Sequence, residues 1–369
     1  MMNSFQDMGI SPEIVDALDD LGFKKPFPIQ ERVIPILWSG SDVIGQAHTG
    51  TGKTAAFGLP ILEVIDETSP NVQALIIVPT RELAIQVAQD INSYAKNTAK
   101  RALPLYGGAS IFAQLDALEK HPQIIVGTPG RLLDHISRNS LRLGNVTCVV
   151  LDEADRMLDM GFIEDVEEIL KAVNSKHQTA LFSATIPNDV LRLARKYMKN
   201  PREVLVEPED LNVREIDQHF LVADHGEKIR SLVRLLGRGD VDRAIVFCRT
   251  KRDTFRLDRI LQSKGLPSVA MNGDLSQEKR DRTMDAFVRG RRRMLVATDL
   301  AGRGLDIEGV THIINFDVPD DPHTYFHRIG RTGRAGNKGT AVTLVSPEER
   351  FSFERIQRMG GNTIKRLHQ

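Results

Sequence analysis

Val149-Val150-Leu151-Asp152-Glu153-Ala154-Asp155 sets three branched apolar residues directly before three carboxylates. So short and uniform an apolar run reads as a strand buried on both faces. Acidic residues at its carboxyl end suit either a ligand site or the start of a helix. The pattern recurs at residues 74–78, 124–126 and 180–182, and again at 244–248, 268–271, 294–297, 312–316 and 341–345. Amphipathic stretches such as 82–95 and 277–288 lie between the runs. Apolar strands alternating with helices predict an α/β fold, with parallel sheets covered by helices on both faces. A polar stretch at 206–217, with Pro208 and five acidic residues, interrupts the alternation. It divides the chain into a first domain at 1–206, a linker at 207–217 and a second domain at 218–369. Each domain is long enough to bury its own core.

A second segment gives the acidic run a partner. Ala47-His48-Thr49-Gly50-Thr51-Gly52-Lys53-Thr54 follows Val43-Ile44 and precedes a helix-compatible stretch. Gly50 and Gly52 permit the tight curl that points backbone amides at phosphate oxygens, with Thr49 and Thr51 between and beside them. Lys53 supplies a cation for the β- and γ-phosphates, and the Thr54 hydroxyl is a magnesium ligand. Ala47 stands where the strict pattern has Gly, and a glycine-rich turn alone is often only a turn. Asp152 at the end of a parallel strand changes that, because ligands bind beyond the carboxyl ends of such strands. Asp152 then orders the metal's coordination shell, and Glu153 positions and deprotonates an attacking water.

Composition limits the partners. The 49 Lys and Arg balance 49 Asp and Glu, which excludes a simple polycation. Residues 1–206 carry a net charge of −5 and residues 207–369 one of +5, so the second half is the better source of positive groups for a shared anionic ligand. Aromatic residues at 5% argue against recognition by many stacked bases. Cys148 and Cys248 each sit in an apolar run and read as buried free thiols of a reducing compartment. No membrane span is present, and the first ten residues lack an apolar signal core, which predicts a cytoplasmic protein.

Asp152-Glu153-Ala154-Asp155 behind a phosphate loop resembles the DEAD-box family of ATP-dependent RNA helicases. The resemblance covers nearly the whole chain, and the motifs come in family order. It implies two tandem RecA-like domains, ATP and Mg2+ in the site, and RNA as the polymer, gripped through its backbone. Phe5, Gly22-Phe23, Pro26 and Ile29-Gln30 resemble the adenine motif, in which Gln30 hydrogen-bonds the adenine edge and Phe23 stacks on its face. Phe27 takes a place usually held by Thr. Pro79-Thr80-Arg81, Gly107-Gly108 and Thr128-Pro129-Gly130-Arg131 resemble RNA-backbone contacts, suited to phosphates because hydroxyls, amides and Arg ignore base identity. Thr80 and Thr128 also stand where helix N-caps would. Ser183-Ala184-Thr185 resembles the segment that couples ATP-site closure to strand separation, here through Asp155.

The second half completes the series. Residues 246–250, Asn272-Gly273-Asp274, Gln277 and Arg280 resemble RNA contacts, with Asn272 replacing a more usual His. By resemblance Thr298 touches RNA phosphate and Asp306 meets the ribose of ATP. His327-Arg328-Ile329-Gly330-Arg331-Thr332-Gly333-Arg334 puts two arginines three residues apart, on one side of a turn. Arg331 and Arg334 then act as arginine fingers on the γ-phosphate, worth ~10³–10⁵ in rate. Arg291-Arg292-Arg293 reads as a solvated loop. The expectation is a divided enzyme, with ATP and RNA closing one domain onto the other. It works as a monomer, and protein partners supply specificity. An ATP-gated RNA clamp needs the same motifs; a DNA translocase fits the adenine motif and acidic box less well.

Overall fold

The computed structural model describes residues 4–47, 52–173, 176–205, 216–239, 241–299, 309–333, 338–359 and 364–367, without the side chains of His225, Gln277, His323 and His327. The chain divides into two compact units, Met1–Asp210 and Leu211–Gln369.

Among the described residues each unit holds one seven-stranded sheet, and the strand pairs are parallel. The first sheet has β1 (Val43–Gln46), β2 (Ala74–Ile77), β3 (Ala102–Leu105), β4 (Ile124–Gly127), β5 (Cys148–Leu151), β6 (Gln178–Ser183) and β7 (Arg202–Leu205), in the order β3-β4-β2-β5-β6-β1-β7. The second has β8 (Ile216–Val222), β9 (Ala244–Phe247), β10 (Ser268–Met271), β11 (Met294–Ala297), β12 (His312–Asn315), β13 (Gly339–Val345) and β14 (Lys365–Arg366), in the order β10-β11-β9-β12-β13-β8-β14. The second order repeats the first strand for strand.

Burial on both faces explains the uniform apolar runs. In the first sheet Val43, Ala74, Ile76, Val150 and Phe182 join one core with the helices Pro28–Trp38, Lys53–Val64 and Arg81–Tyr94. Ile44, Leu75, Ile77, Leu151 and Leu181 enter a second core on the other face. The second sheet alternates the same way, with Val246 and Val296 on one side and Ile245 and Leu295 on the other. These are α/β units with helices on both faces, as the run pattern predicts.

This strand order also positions the chemistry. β5, β6 and β1 are neighbours, so residues 152–155, 184–185 and Ala47, which leave their carboxyl ends, meet, with Lys53 beside Ala47 and Asp152. β8 begins at Ile216, inside the 207–217 stretch read as linker. No helix among the described residues is long and apolar enough to cross a membrane.

Candidate active site

Gly52 leads into the helix Lys53–Val64 with φ +84°, a left-handed conformation that favours glycine. A Cβ there would strike the side-chain amide of Gln30. Gln30 is fully buried; its Oε1 accepts from the Phe27 amide at 2.8 Å and its Nε2 donates to the Gly52 carbonyl at 3.0 Å. The adenine-motif residue is thus tied directly to the phosphate loop. Phe23 is half-buried and lies edge-on to Tyr94, with 5.9 Å between ring centres.

Lys53 is buried, its Nζ donating to the Ala47 carbonyl at 3.0 Å and lying 3.8 Å from Asp152 Oδ1. Burial pushes the Asp152 carboxyl up to about 6, with Lys53 pulling the other way and Glu153 adding to the rise. Thr54 follows Lys53 in the helix, and its hydroxyl bonds the carboxylate of Asp90, a residue the sequence reading did not single out. Burial pushes Asp90 up to about 6 as well, against that hydrogen bond. A hydroxyl and a carboxylate are the hard oxygen donors that magnesium accepts alongside phosphate and water. A buried carboxyl that resists ionisation also gains most from a second positive charge.

Glu153 sits at φ 52°, ψ 51°, left-handed backbone that is rare outside glycine, asparagine and aspartate. Its carboxylate pairs with buried Arg156 at 3.1 Å, and its amide donates to Asp152 Oδ1 at 2.9 Å. Arg156 also escaped the sequence reading, although its i,i+3 spacing from an acid was a usable signal. Asp155 makes the link to the neighbouring strand. Its amide donates to Ser183 Oγ at 3.0 Å, and its Oδ2 accepts from both the amide and the hydroxyl of Thr185, each at 2.9 Å.

On the expected RNA side of the first unit, Thr80 Oγ1 caps its helix by accepting from the Leu83 amide at 3.3 Å. Thr128 precedes its helix with no side-chain cap, contrary to the expectation. Pro79 and Thr80 follow β2, and Arg81 lies over the Tyr106 ring at 4.8 Å. A Cβ on Gly107 would meet open space, and Gly108 has φ +83°. Arg131 departs from expectation: its side chain is only 12% exposed. It donates to Gln114 Oε1 at 2.8 Å and to the Ala109 carbonyl at 3.1 Å, so it braces the loop after Gly107-Gly108 from inside.

In the second unit, Asn272 is fully buried and donates to Thr254 Oγ1 at 2.7 Å. Thr298 and Arg331 are buried, and Arg280 is half-buried. Arg328, unassigned from sequence, grips Asp299 with two bonds of 2.6 and 2.8 Å and donates to the Asp317 carbonyl at 2.8 Å. It thereby ties the Thr298-Asp299 segment to the one that carries Arg331. Thr49, Gly50, Thr51, Asp306, Arg334 and the Gln277 side chain lie outside the described residues.

The second sheet has its own counterpart of the phosphate site. Lys228, in the helix after β8, is fully buried. It donates to Glu349 at 2.5 Å and lies 3.9 Å from Asp317, which follows β12 as Asp152 follows β5. Glu349, beyond β13, also accepts from the amide and hydroxyl of Ser346 at 3.0 and 2.9 Å. Burial works against the Glu349 charge, but Lys228 and Ser346 outweigh it and hold the carboxyl below its ordinary value. Among the described residues, Lys228 is thus paired with a carboxylate of its own unit.

The DEAD/DEAH box helicase family matches residues 27–193, and the Helicase conserved C-terminal domain matches residues 227–336. The chain is 48% identical to the DEAD-box ATP-dependent RNA helicase CshA of Bacillus subtilis, over all of this chain and 75% of that protein. Identity to the CshA of Geobacillus kaustophilus is also 48%, over 99% of this chain and 78% of the relative. Among solved structures, Saccharomyces cerevisiae Dbp5 bound to RNA and ADP BeF3 aligns with a TM-score of 0.88 at 33% identity, over 99% of this chain and 95% of that one. A DEAD box protein from Methanococcus jannaschii aligns at 0.60 with 41% identity, over 100% and 99%.

Proposed function

This chain belongs to the DEAD-box family of ATP-dependent RNA helicases, and from that membership we propose how its residues divide the work. The enzyme hydrolyses ATP and unwinds or remodels RNA. One observation carries the assignment of roles: Asp155 is bonded to Ser183 and Thr185 while Asp152, three residues earlier, faces Lys53. A shift at the nucleotide is therefore felt on the next strand.

In this reading Gln30 and Phe23 receive the adenine. Thr49, Gly50, Thr51 and Gly52 wrap the phosphates, and Lys53 moves from the Ala47 carbonyl to phosphate oxygens. Thr54 and Asp152 would hold magnesium, which when bound neutralises phosphate charge. Glu153, its direction fixed by Arg156, takes the proton of the attacking water. Arg331 and Arg334 stabilise the γ-phosphate, and Asp306 meets the ribose. Pro79, Thr80, Arg81, Gly107, Gly108 and Thr128 in domain 1–206, with Gln277, Arg280 and Thr298 in domain 218–369, follow the RNA backbone; Arg131 acts through its loop. Preference for RNA over DNA comes from A-form shape and 2′-hydroxyls. The cytoplasm is the working compartment in this reading, one in which Cys148 and Cys248 stay free thiols. Protein partners direct the enzyme to particular RNAs.

RNA-stimulated ATP hydrolysis, measured together with multiple-turnover displacement of a short RNA duplex, tests the reading. Stimulation by RNA but not DNA is expected. Stimulation without displacement would make the chain an ATP-gated clamp. Glu153→Gln should lower hydrolysis by about 10²-fold or more while ATP-dependent RNA binding persists. Undiminished hydrolysis would remove Glu153 from its role.

A further inference from the structure

The helix Lys251–Ser263 starts from the carboxyl end of β9, capped by Thr250, whose Oγ1 accepts from the Asp253 amide at 3.1 Å. Its inner side is Thr254, Leu257 and Leu261, all buried. At about 100° per residue, Arg252, Arg256 and Arg259 fall in one narrow stripe on the opposite side. All three are exposed, and Phe255 beside them is 40% exposed. Among the described residues no carboxylate pairs with any of the three; the helix's own Asp253 and Asp258 are bonded to Thr250 and Ser268 instead. Several exposed arginines of this unit lie on acids instead, Arg282 on Glu278, Arg289 and Arg291 on Asp285, and Arg350 on Glu354. What sets Arg252, Arg256 and Arg259 apart from the unit's remaining exposed arginines is their alignment on one helix face. A row of unpaired guanidinium groups repels itself, and it gains most from an external polyanion.

The position of the row says which polyanion. Lys251 pairs with Asp274 at 2.6 Å, and Asn272 donates to Thr254 Oγ1 at 2.7 Å and to the Lys251 carbonyl at 3.4 Å. The first turn of the helix is therefore bonded to the Asn272-Gly273-Asp274 loop, one of the expected RNA contacts, through Lys251 and Thr254, and Arg252 lies on that same turn. From Arg252 to Arg259 it runs outward for about 10 Å. We propose that Arg252, Arg256 and Arg259 form a further RNA-backbone site, which takes the nucleotides flanking those held at the carboxyl ends of β9 to β11. Phe255 gives an unpaired base a face to stack on. This site rests on the reading of that loop as an RNA contact. Continuity with it favours RNA over an acidic protein surface, which charge alone would also fit.

The test replaces all three arginines by glutamine in the full chain, with the triple lysine variant beside it. Binding of a single-stranded oligoribonucleotide and of an RNA hairpin is followed by fluorescence anisotropy from about 50 to about 200 mM salt. For the glutamine variant, affinity at the lowest salt should fall roughly ten-fold or more, and the log–log salt slope should shrink by about 2, ~0.7 per lost phosphate contact. The lysine variant should keep a slope near the parent's, since it keeps the charge. Parental affinity and slope in the glutamine variant would overturn the site. So would parental RNA binding joined to lost binding of polyglutamate, which would hand the stripe to an acidic protein. Hydrolysis without RNA reports the ATP-site reading separately, because no residue of the stripe lies in that site.

Discussion

Gln114 sits beneath two side chains that need an acceptor. Its Oε1 takes Arg131 Nη1 at 2.8 Å and faces His135 Nε2 at 3.1 Å, while its Nε2 donates to the Tyr106 carbonyl at 3.1 Å. Arginine can only donate, so the oxygen of the amide must face it, and His135 then carries its proton on Nε2. Burial, with Arg131 second, holds His135 below its ordinary value, so it stays neutral in this role. Gln114→Ala would strand both donors at a cost of roughly 1–3 kcal/mol. It should lower the melting temperature and raise the RNA concentration for half-maximal ATP hydrolysis. Unchanged half-saturation would reduce the network to a packing detail. Nothing in Gln114 as a letter announces this, because a lone Gln on an amphipathic helix is usually a surface amide. Lys53, Asp152, Glu153 and Asp155 were legible because their chemistry is local in sequence, within one loop or just past one strand. Asp90, Gln114 and Arg328 act through partners that folding brings from elsewhere in the chain, whereas Arg156 finds Glu153 three residues back.

The turn after β13 and the helix after β8 meet through Glu349 and Lys228. Glu349→Gln would leave buried Lys228 with only Asp317, 3.9 Å away, as a carboxylate, a loss below the roughly 3–5 kcal/mol of a fully broken buried pair. The folded carboxyl titrates below its unfolded value, so its contribution is present above the unfolded pKa and fades as pH falls through the folded one. The urea midpoints of the second unit in parent and variant should differ at neutral pH and converge in acid. A gap that persists undiminished in acid would show that the charge is not its source. Strands were readable where both faces are buried, as in β2, β5, β9 and β11. β7, β8 and β14 were missed because they lie at or next to a sheet edge, where the outward positions stay polar: β7 reads Arg-Glu-Val-Leu with only the Val buried. β3 was missed because Pro104 interrupts a run of four, tolerable there since β3 is an edge strand.

For the molecule as a whole, the expected divided enzyme requires the two units to approach when both ligands bind. Fluorescent labels, one in each unit, should move closer on addition of a non-hydrolysable ATP analogue with RNA, and less with either alone. An unchanged distance would sink the closure mechanism while leaving the ATP-site chemistry standing.

The repeated strand order has a consequence in time. β1 pairs with β6 and β7, Val43 lying beside Ala180 and Arg202, and β8 pairs with β13, Ile216 beside Gly339. In each unit the strand synthesised first is among the last to find its neighbours. During translation, β1 and the glycine loop behind it have no sheet to join until β6 has been made. Nucleotide therefore cannot serve as an early template for this fold: the pocket closes only as the unit itself is completed, and until then β1 is an unpaired apolar edge that the nascent chain must shield.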